Sequence, residues 1–330
     1  MNKTINTITL LGLTSFASIA SAQTLTVYTN GSFVSDWGPG PAIEKAFEKQ
    51  CGCDLNFVGL DDGSTIINRL RLEGKNSKAD VLLGLDDNLM AKARETGLLA
   101  EHNVDTSKVT LPNGWSDNMF VPFDYGYFAF VYNKEKVTNP PKSLKELVEN
   151  RDDLKVIYQD PRTSTPGQGL LLWMKSVYGD KATEAWQQLA EKTVTVTKGW
   201  SEAYSMFLEG ESDLVLSYTT SPAYHLIAEN DERFAAANFE EGHYTQIEVA
   251  AKVKASTNSE LADQFMNFIL SEDFQGEIPT GNWMYPVTDI KLPEGYNSLT
   301  VPAKALSFPS EEVAENQRSW IREWQYALTQ

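Results

Sequence analysis

The sequence predicts an α/β protein of two lobes, each a mostly parallel sheet flanked by helices, with two strands that cross between them. Short apolar segments alternate with amphipathic ones, which is typical of a parallel sheet covered by helices. The chain has 330 residues, enough for two domains of ordinary size. The aromatic segment 120–132 is too long for a strand of one compact layer, which indicates a crossing between lobes.

The elements follow in order along the chain. The first lobe is predicted to alternate strands with helices, at 25–28, 42–49, 55–60, 64–72 and 80–85. A second series follows the aromatic segment, with strands at 155–158, 193–196 and 213–217 and helices at 169–178, 183–191, 202–210 and 223–229. A strand at 246–254 is expected to return to the first lobe, before amphipathic helices at 260–270 and 311–328. The predicted boundaries are 23–122 with 248–292 for the first lobe, and 123–247 with 293–330 for the second.

Residues 1–22 predict a cleavable signal peptide. They carry one lysine and no acid, and an apolar stretch at 8–19 leads to Ala20, Ser21 and Ala22, a pattern that signal peptidase accepts. A membrane anchor is the alternative, but about a dozen apolar residues are too few to span a bilayer. The expected location is the periplasm, with a chain that begins at Gln23.

Net charge narrows the classes of ligand that the protein can bind, and the two cysteines raise the question of a disulfide or a metal site. A net charge of −17 argues against nucleic acid and anionic membranes, which select basic surfaces. It favours a cationic ligand, although a solvated acidic surface is the alternative. Cys51 and Cys53 are the only cysteines; a local disulfide is favoured over zinc, which normally takes four ligands.

Four loops between a predicted strand and a predicted helix carry small polar residues beside glycine, proline or an aromatic ring. They are 36–41 (DWGPGP), 164–167 (STPG), 199–201 (GWS) and 217–222 (SYTTSP). Serine or threonine before proline marks a helix start, where the hydroxyl caps free N–H groups and anions bind. Aromatic faces accept a cation or a heterocycle. Because ligands of open α/β sheets bind at such loops, we expect a small molecule that is both aromatic and charged.

Each candidate residue has a structural alternative. Trp37 either contacts ligand or packs, and Asp62 either faces a cation or caps a helix. Ser164 and Thr165 either bind an anion or cap a helix without ligand.

The remaining candidates are aromatic. Trp200, Tyr218 and Tyr224 are expected to converge on one edge of the second lobe as a stacking site. Trp283 lies in 278–286, predicted to be free of helix, as a gate or a surface plug.

Catalysis has little support in the sequence. His102, His225 and His243 are far apart, and no G-x-S-x-G, P-loop or G-x-G-x-x-G motif occurs. A secreted hydrolase using a carboxylate pair stays open as an alternative, because acids are abundant.

Several long runs carry a resemblance to a known family: 71–80, 121–131, 158–167, 194–204 and 281–286. With these runs the chain resembles the thiamine-binding members of the two-lobe periplasmic solute-binding proteins that serve bacterial ABC importers. The resemblance implies the type II fold of that family, shared with ferric and polyamine binders. It implies thiamine and its phosphate esters as transported ligands, no cofactor or metal, no catalysis, a monomer, and an ABC permease with its ATPase as partners.

The resemblance also implies a set of ligand contacts. These are Asp62, Gly63, Ser164, Thr165, Trp200, Tyr218, Thr219, Thr220, Ser221 and, as aromatic neighbours, Tyr224, Trp37 and Trp283. One position departs from the family pattern, since Asn30 stands where that pattern has a tyrosine, so one aromatic contact is expected to be missing. A polyamine remains the alternative ligand; the lack of an adjacent tyrosine pair counts against iron.

Overall fold

The computed structural model describes residues 22–329. The strands are β1 (Thr24–Asn30), β2 (Asp54–Leu60), β3 (Val81–Asp86), β4 (Leu99–Ala100), β5 (Phe120–Asn133), β6 (Val156–Gln159), β7 (Thr193–Thr197), β8 (Leu214–Tyr218), β9 (Phe234–Ala236), β10 (His243–Val253), β11 (Tyr285–Pro286) and β12 (Ala305–Leu306). The α-helices are α1 (Gly40–Cys51), α2 (Gly63–Glu73), α3 (Met90–Arg94), α4 (Leu144–Asn150), α5 (Thr165–Tyr178), α6 (Ala182–Lys192), α7 (Trp200–Leu208), α8 (Pro222–Ala228), α9 (Ser259–Phe268), α10 (Glu272–Gln275) and α11 (Ser310–Ala327).

The strands run β2-β1-β3-β10-β5-β8-β6-β7 across the molecule. In the first sheet β1 pairs in parallel with β2 and β3, and β10 pairs antiparallel to β3. In the second sheet β6 pairs in parallel with β7 and β8. The sequence therefore predicts the parallel pairing of each sheet correctly, because its strands alternate with helices.

Strand β5 belongs to both sheets. Its residues 120–127 pair antiparallel with β10 in the first sheet, and 128–132 pair with β8 in the second. The predicted long aromatic strand thus runs from one sheet into the other. Strands β5 and β10 lie side by side at the centre of the strand order, so side chains on them can face the space between the two sheets.

Separate apolar cores pack against the sheets. One core surrounds Phe47, Phe265 and Phe274 beside the first sheet. Another surrounds Trp173 and Trp186 beside the second sheet. Burial of such large aromatic side chains contributes about 1.5–3 kcal/mol each, so each sheet carries its own stabilising core.

Several details differ from the sequence predictions. The segment predicted to lack helix contains a π-helical turn, Ile278–Asn282. A proline is tolerated in the first turn, because the N–H group that proline lacks would have no partner there. Short helices α3 and α4 and strand β9 were not predicted, since none is long enough to show a clear period. Helix α7 begins at Trp200, before the predicted start. Cys51 and Cys53 are joined by a disulfide at the end of α1.

The predicted signal peptide falls almost entirely outside the described residues. Within residues 22–329, every helix is too short or too polar to cross a bilayer.

Candidate functional site

A cleft of about 850 Å³ opens between the two sheets. It receives the loops that follow β1, β2, β6, β7 and β8, together with side chains of β10 and of the loop before β11. The lining includes Asn30, Ser32, Trp37, Asp61, Asp62, Thr163, Ser164, Thr165, Pro166, Lys198, Gly199, Trp200, Ser201, Glu202, Tyr204, Leu208, Tyr218, Ser221, Tyr224, Ala228, Gln246, Glu248, Asn282, Trp283 and Met284. The carboxyl ends of strands from both sheets meet here, as expected for a ligand site in open α/β sheets.

Two tryptophans enter the cleft from neighbouring loops beside the first sheet. Trp37 follows β1 and is 57% exposed, although large apolar side chains are usually covered. Trp283 follows the π-helical turn. The two loops touch where Gly281 packs against Pro39: a Cβ on Gly281 would lie 2.7 Å from Pro39 Cβ, so only glycine permits this approach.

Trp283 has strained backbone geometry. Its φ is 56°, in the left-handed region that a bulky residue rarely adopts. Its ring packs edge-on against Tyr224, with ring centroids 5.4 Å apart and an interplanar angle of 83°. Tyr224 belongs to α8 beside the second sheet, so this aromatic pair spans the cleft. Strain of this kind is found where a side chain must point at a particular place.

The opposite wall is built around Trp200. The indole N–H donates to Ser217 Oγ at 2.7 Å, and the ring stacks on Tyr204 at 4.9 Å. Ser221 Oγ in turn accepts the Tyr218 backbone N–H at 3.1 Å. Trp200, Tyr218 and Tyr224 all line the cleft.

Asp62 lies opposite the start of α5. One carboxylate oxygen accepts the N–H groups of Ser64 and Thr65 at 3.0 and 3.3 Å and caps α2, while Oδ2 is buried without a partner. Burial raises the pKa of Asp62 to about 6, although the backbone N–H groups of Thr65, Ser64 and Thr165 lower it. Asp62 therefore both caps a helix and faces the cleft, so the two readings of this residue are compatible.

The start of α5 differs in one respect from the prediction. Ser164 is the residue before the first turn, but its hydroxyl makes no capping hydrogen bond. Ser221 likewise does not cap α8. Both residues line the cleft. The expectation that these hydroxyls cap their helices is wrong. For Ser221 the reason is visible: its Oγ is bonded to Tyr218 N–H and Ser217 Oγ instead.

The floor of the cleft is a buried polar network on β5 and β10. Asn282 donates through Nδ2 to Asp124 Oδ2 and, at 3.2 Å, to Glu248 Oε2. Asn30 Nδ2 donates to Glu248 Oε1 at 3.2 Å. Asn30 fits because its neighbour is Gly84, where a Cβ would come within 2.6 Å of Asn30 Nδ2.

Burial makes this floor electrostatically unusual. Burial, and then the charge of Glu248, raise the pKa of Asp124 well above its usual range. Burial also raises the pKa of Glu248. At the end of β3, burial and then the charge of Asp87 raise the pKa of Asp86. None of the ion pairs within residues 22–329 involves Asp86, Asp124 or Glu248, so no basic side chain among those residues neutralises these acids when they ionise.

Tyr218 connects the wall to the floor. Its hydroxyl donates to Gln246 Oε1 at 2.9 Å. Burial, followed by the charges of Glu248, Asp124 and Asp86, raises the pKa of Tyr218 well above its usual value. The side chain is therefore a neutral donor at any physiological pH.

Three residues expected as contacts lie off the cleft surface: Gly63, Thr219 and Thr220. Thr219 and Thr220 are fully buried, and the Thr219 N–H donates to Tyr127 O at 2.9 Å, which draws the turn into the protein. Gly63 packs against the backbone of Gly84 and Leu85. Of the expected contacts Tyr218, Thr219, Thr220 and Ser221, only Tyr218 and Ser221 line the cleft in this structure.

Other cleft residues were not predicted from the sequence. The principal ones are Lys198, Gln246, Glu248, Asn282 and Met284; Asn30, which the sequence marked as a departure from the family pattern, also lines the cleft. A usable signal existed for Asp124, the one charged residue of a long, mostly apolar and aromatic strand. Glu248 had no such signal, because its strand also carries His243, Gln246 and Lys252. Within residues 22–329, no group of three or more His, Cys, Asp or Glu side chains is arranged to hold a metal ion.

Comparison with known proteins settles the family. The model of the bacterial extracellular solute-binding protein family matches residues 39–276. The chain belongs to this family. The thiamine-binding periplasmic protein of Salmonella typhimurium is 63% identical to this solute-binding protein over 305 residues, 92% of this chain and 93% of that one.

Solved structures agree with this assignment. A periplasmic thiamin binding protein matches this solute-binding protein with a TM-score of 0.92 at 61% identity, over 94% of this chain and 97% of the other. Iron-bound HitA from Pseudomonas aeruginosa matches with a TM-score of 0.77 at 20% identity, over 92% and 99% of the two chains, a likeness that concerns the fold alone. These matches confirm the predicted two-lobe, type II periplasmic-binding-protein fold and the resemblance inferred from the sequence.

Proposed function

We propose that this protein captures thiamine and its phosphate esters in the periplasm and delivers them to an ABC permease and its ATPase. The observation that carries the proposal is the cleft, in which aromatic rings from opposite sides face a carboxylate floor. The relatives named for thiamine binding, similar over nearly the full chain, support the same ligand.

The chemistry of thiamine matches these groups. Its thiazolium ring is a permanent cation, which the faces of Trp37, Trp283 and Trp200 attract. A desolvated cation–π contact stabilises a complex by about 2 kcal/mol. Its aminopyrimidine is flat and can stack on Tyr224, while its exocyclic amine can donate to a carboxylate such as Asp62.

The phosphate of an ester would lie at the start of α5. Ser164 makes no capping hydrogen bond, and the first N–H groups of a helix have no partner within the helix. Asp62 opposes such an anion while it is charged. We therefore expect thiamine to bind at least as tightly as its phosphate esters at neutral pH.

Capture would follow closure of the two lobes, at 23–122 with 248–292 and at 123–247 with 293–330. Lys198 Nζ and Asp61 Oδ2 are 3.1 Å apart across the mouth of the cleft. Both side chains are well exposed, so this ion pair contributes little to closure, about 1 kcal/mol or less. The protein would act as a monomer and as a receptor without catalysis.

Native mass spectrometry of freshly purified protein tests the ligand directly. The expected result is a bound species with the mass of thiamine or a thiamine phosphate. After that ligand is removed, calorimetric titration should show that one thiamine binds per protein molecule. Spermidine serves as the competing cation, because a polyamine would also suit an acidic, aromatic cleft. Saturable binding of spermidine with no binding of thiamine would overturn the proposal. Turnover of thiamine phosphate into free phosphate would instead indicate a hydrolase.

A further inference from the structure

The floor of the cleft contains a buried pair of carboxyl groups that no positive charge neutralises. Asp124 has no exposed surface and Glu248 is 8% exposed. Glu248 lines the cleft, whereas Asp124 lies behind it. Two adjacent buried carboxylates cannot both be charged without a large electrostatic cost, so the pair holds a proton when the cleft contains only water.

The position of that proton follows from the hydrogen bonds. Asp124 Oδ2 accepts from Asn282, but Asp124 Oδ1 is buried and has no donor. Both oxygens of Glu248 already accept, from Asn30 and Asn282. A proton on Asp124 turns this acid into a donor to Glu248. That hydrogen bond adds to the burial that raises the pKa of Asp124, and it offsets part of the burial that raises the pKa of Glu248.

We propose that Glu248 is the residue by which the cleft selects a cationic ligand, and that seating the cation expels to solvent the proton shared with Asp124. The inference rests on the proposed function. The free protein holds one carboxylic acid and one carboxylate. The complex holds two carboxylates beside the positive charge of the ligand, and the proton leaves to a buffer base. The total charge is conserved.

The groups around the pair favour this exchange. Asp86 faces it from β3, Tyr218 from β8 and Tyr296 from the segment before β12. Asp62, before α2, acts on Asp86 and not directly on the pair. Both tyrosines stay neutral because burial raises their pKa values. None of the surrounding groups that act on Asp124 or Glu248 is basic. A bound cation would therefore be the first positive charge that the pair meets.

Strand geometry connects the pair to the sheets. The register of β10 with β5 shifts between Glu248 and Val249, next to the pairing of Glu248 with Asp124. An irregularity of this kind turns a side chain that regular pairing would hold in place. The ligand's charge would therefore act on β10 and on β5, the strand that belongs to both sheets.

Calorimetric titration with thiamine in two buffers of different ionisation enthalpy counts the protons released. The measurement is made at about pH 7.5, above the pKa of about 6 of Asp62, so that Asp62 contributes little. We expect wild-type protein to release about half to one proton per thiamine. We also expect its affinity to rise as pH is raised, since fewer protons must be displaced.

Two isosteric variants separate the roles of the pair. Glu248→Gln removes the charge that the cation meets, so affinity should fall by at least about tenfold and proton release should disappear. Asp124→Asn keeps the hydrogen bond to Glu248 through its amide, so thiamine should still bind while proton release disappears. Glu209→Gln, the same change on an exposed residue, controls for net charge, and thermal unfolding checks that each variant folds.

The outcomes are distinct. Thiamine binding by wild type without proton release, or equal release by Glu248→Gln and wild type, would overturn the inference and leave the proposed function intact. No binding heat with wild type at any pH would overturn the proposed function and this inference with it. Asp62→Asn should keep the proton release; if that variant alone abolished it, the proton would belong to Asp62 and the inference would be wrong.

Discussion

The walls and the floor of the cleft are built in opposite ways. The walls are aromatic side chains on loops, and Trp37 is 57% exposed. The floor is a set of carboxyl and amide groups on the central strands, and Asp124 has no exposed surface. Exposed rings provide contact area with almost any flat cation, whereas buried carboxyl groups distinguish ligands by charge. We infer that affinity comes mainly from the walls and charge selectivity from the floor.

The largest effect is expected from a wall. Trp200→Ala removes a ring that is fixed by Ser217 and stacked on Tyr204, so thiamine affinity should fall by at least about tenfold, or 1.4 kcal/mol. Tryptophan fluorescence or calorimetric titration would measure it. Tyr326→Ala, an exposed aromatic residue of α11, should bind like wild type. Wild-type affinity in Trp200→Ala would place the ligand elsewhere.

The acids of the floor should instead make the stability of the ligand-free protein depend on pH. Burial raises the folded-state pKa of the floor acids Asp124 and Glu248, and beside the floor it raises that of Asp87 to about 7 and that of Asp62 to about 6. Such groups favour folding while protonated, and that contribution is lost as pH rises through their folded-state pKa values. The melting temperature should therefore fall by roughly 5 °C or more between mildly acidic and mildly alkaline pH.

Differential scanning calorimetry of wild type and Asp124→Asn measures this pH dependence. The variant lacks one of the buried acids, so its melting temperature should depend less on pH. The same slope in both proteins would show that Asp124 is already ionised in the empty cleft and would contradict the description of the floor.

A smaller effect is expected where wall and floor meet, at Asp62. Asp62→Asn removes a negative charge opposite the start of α5, so affinity for thiamine monophosphate relative to thiamine should rise by about fivefold. Paired titrations with the two ligands measure this ratio. An unchanged ratio would mean that the phosphate does not lie at the start of α5.

The smallest effect is expected at the mouth of the cleft. Lys198→Met breaks the exposed pair with Asp61, and thiamine affinity should change by less than about threefold. Titration at low and high salt would show whether even this effect is electrostatic, because salt screens exposed pairs. A tenfold loss of thiamine affinity would show that the Lys198–Asp61 pair holds the closed lobes together and would contradict this prediction.

The same contrast explains what the sequence could predict. Trp37, Trp200 and Trp283 were found because glycine and proline mark loops, and a large ring on a loop has few other roles. Asp124 and Glu248 were not found as a pair, since they meet only when β10 pairs with β5 and nothing local distinguishes Glu248 among 45 acids. Their environment depends on pairing between residues far apart in the chain.

The turn after β8 shows the opposite error. Its run of small hydroxyl residues looked like an anion site, yet Thr219 and Thr220 are buried because the Thr219 N–H pairs with β5 and continues the ladder that begins at Phe128 and Tyr218. Local turn chemistry predicted where the chain bends. It did not predict which side of the turn faces the cleft, because that depends on where β8 lies in the sheet.

A crystal structure of the protein with thiamine tests the central claim most directly. We predict the thiazolium ring within about 6 Å of a tryptophan ring in the cleft, with its positive charge toward Glu248. Thiamine bound outside the space between the two sheets, or bound there with its cationic ring turned away from both the tryptophans and Glu248, would contradict it.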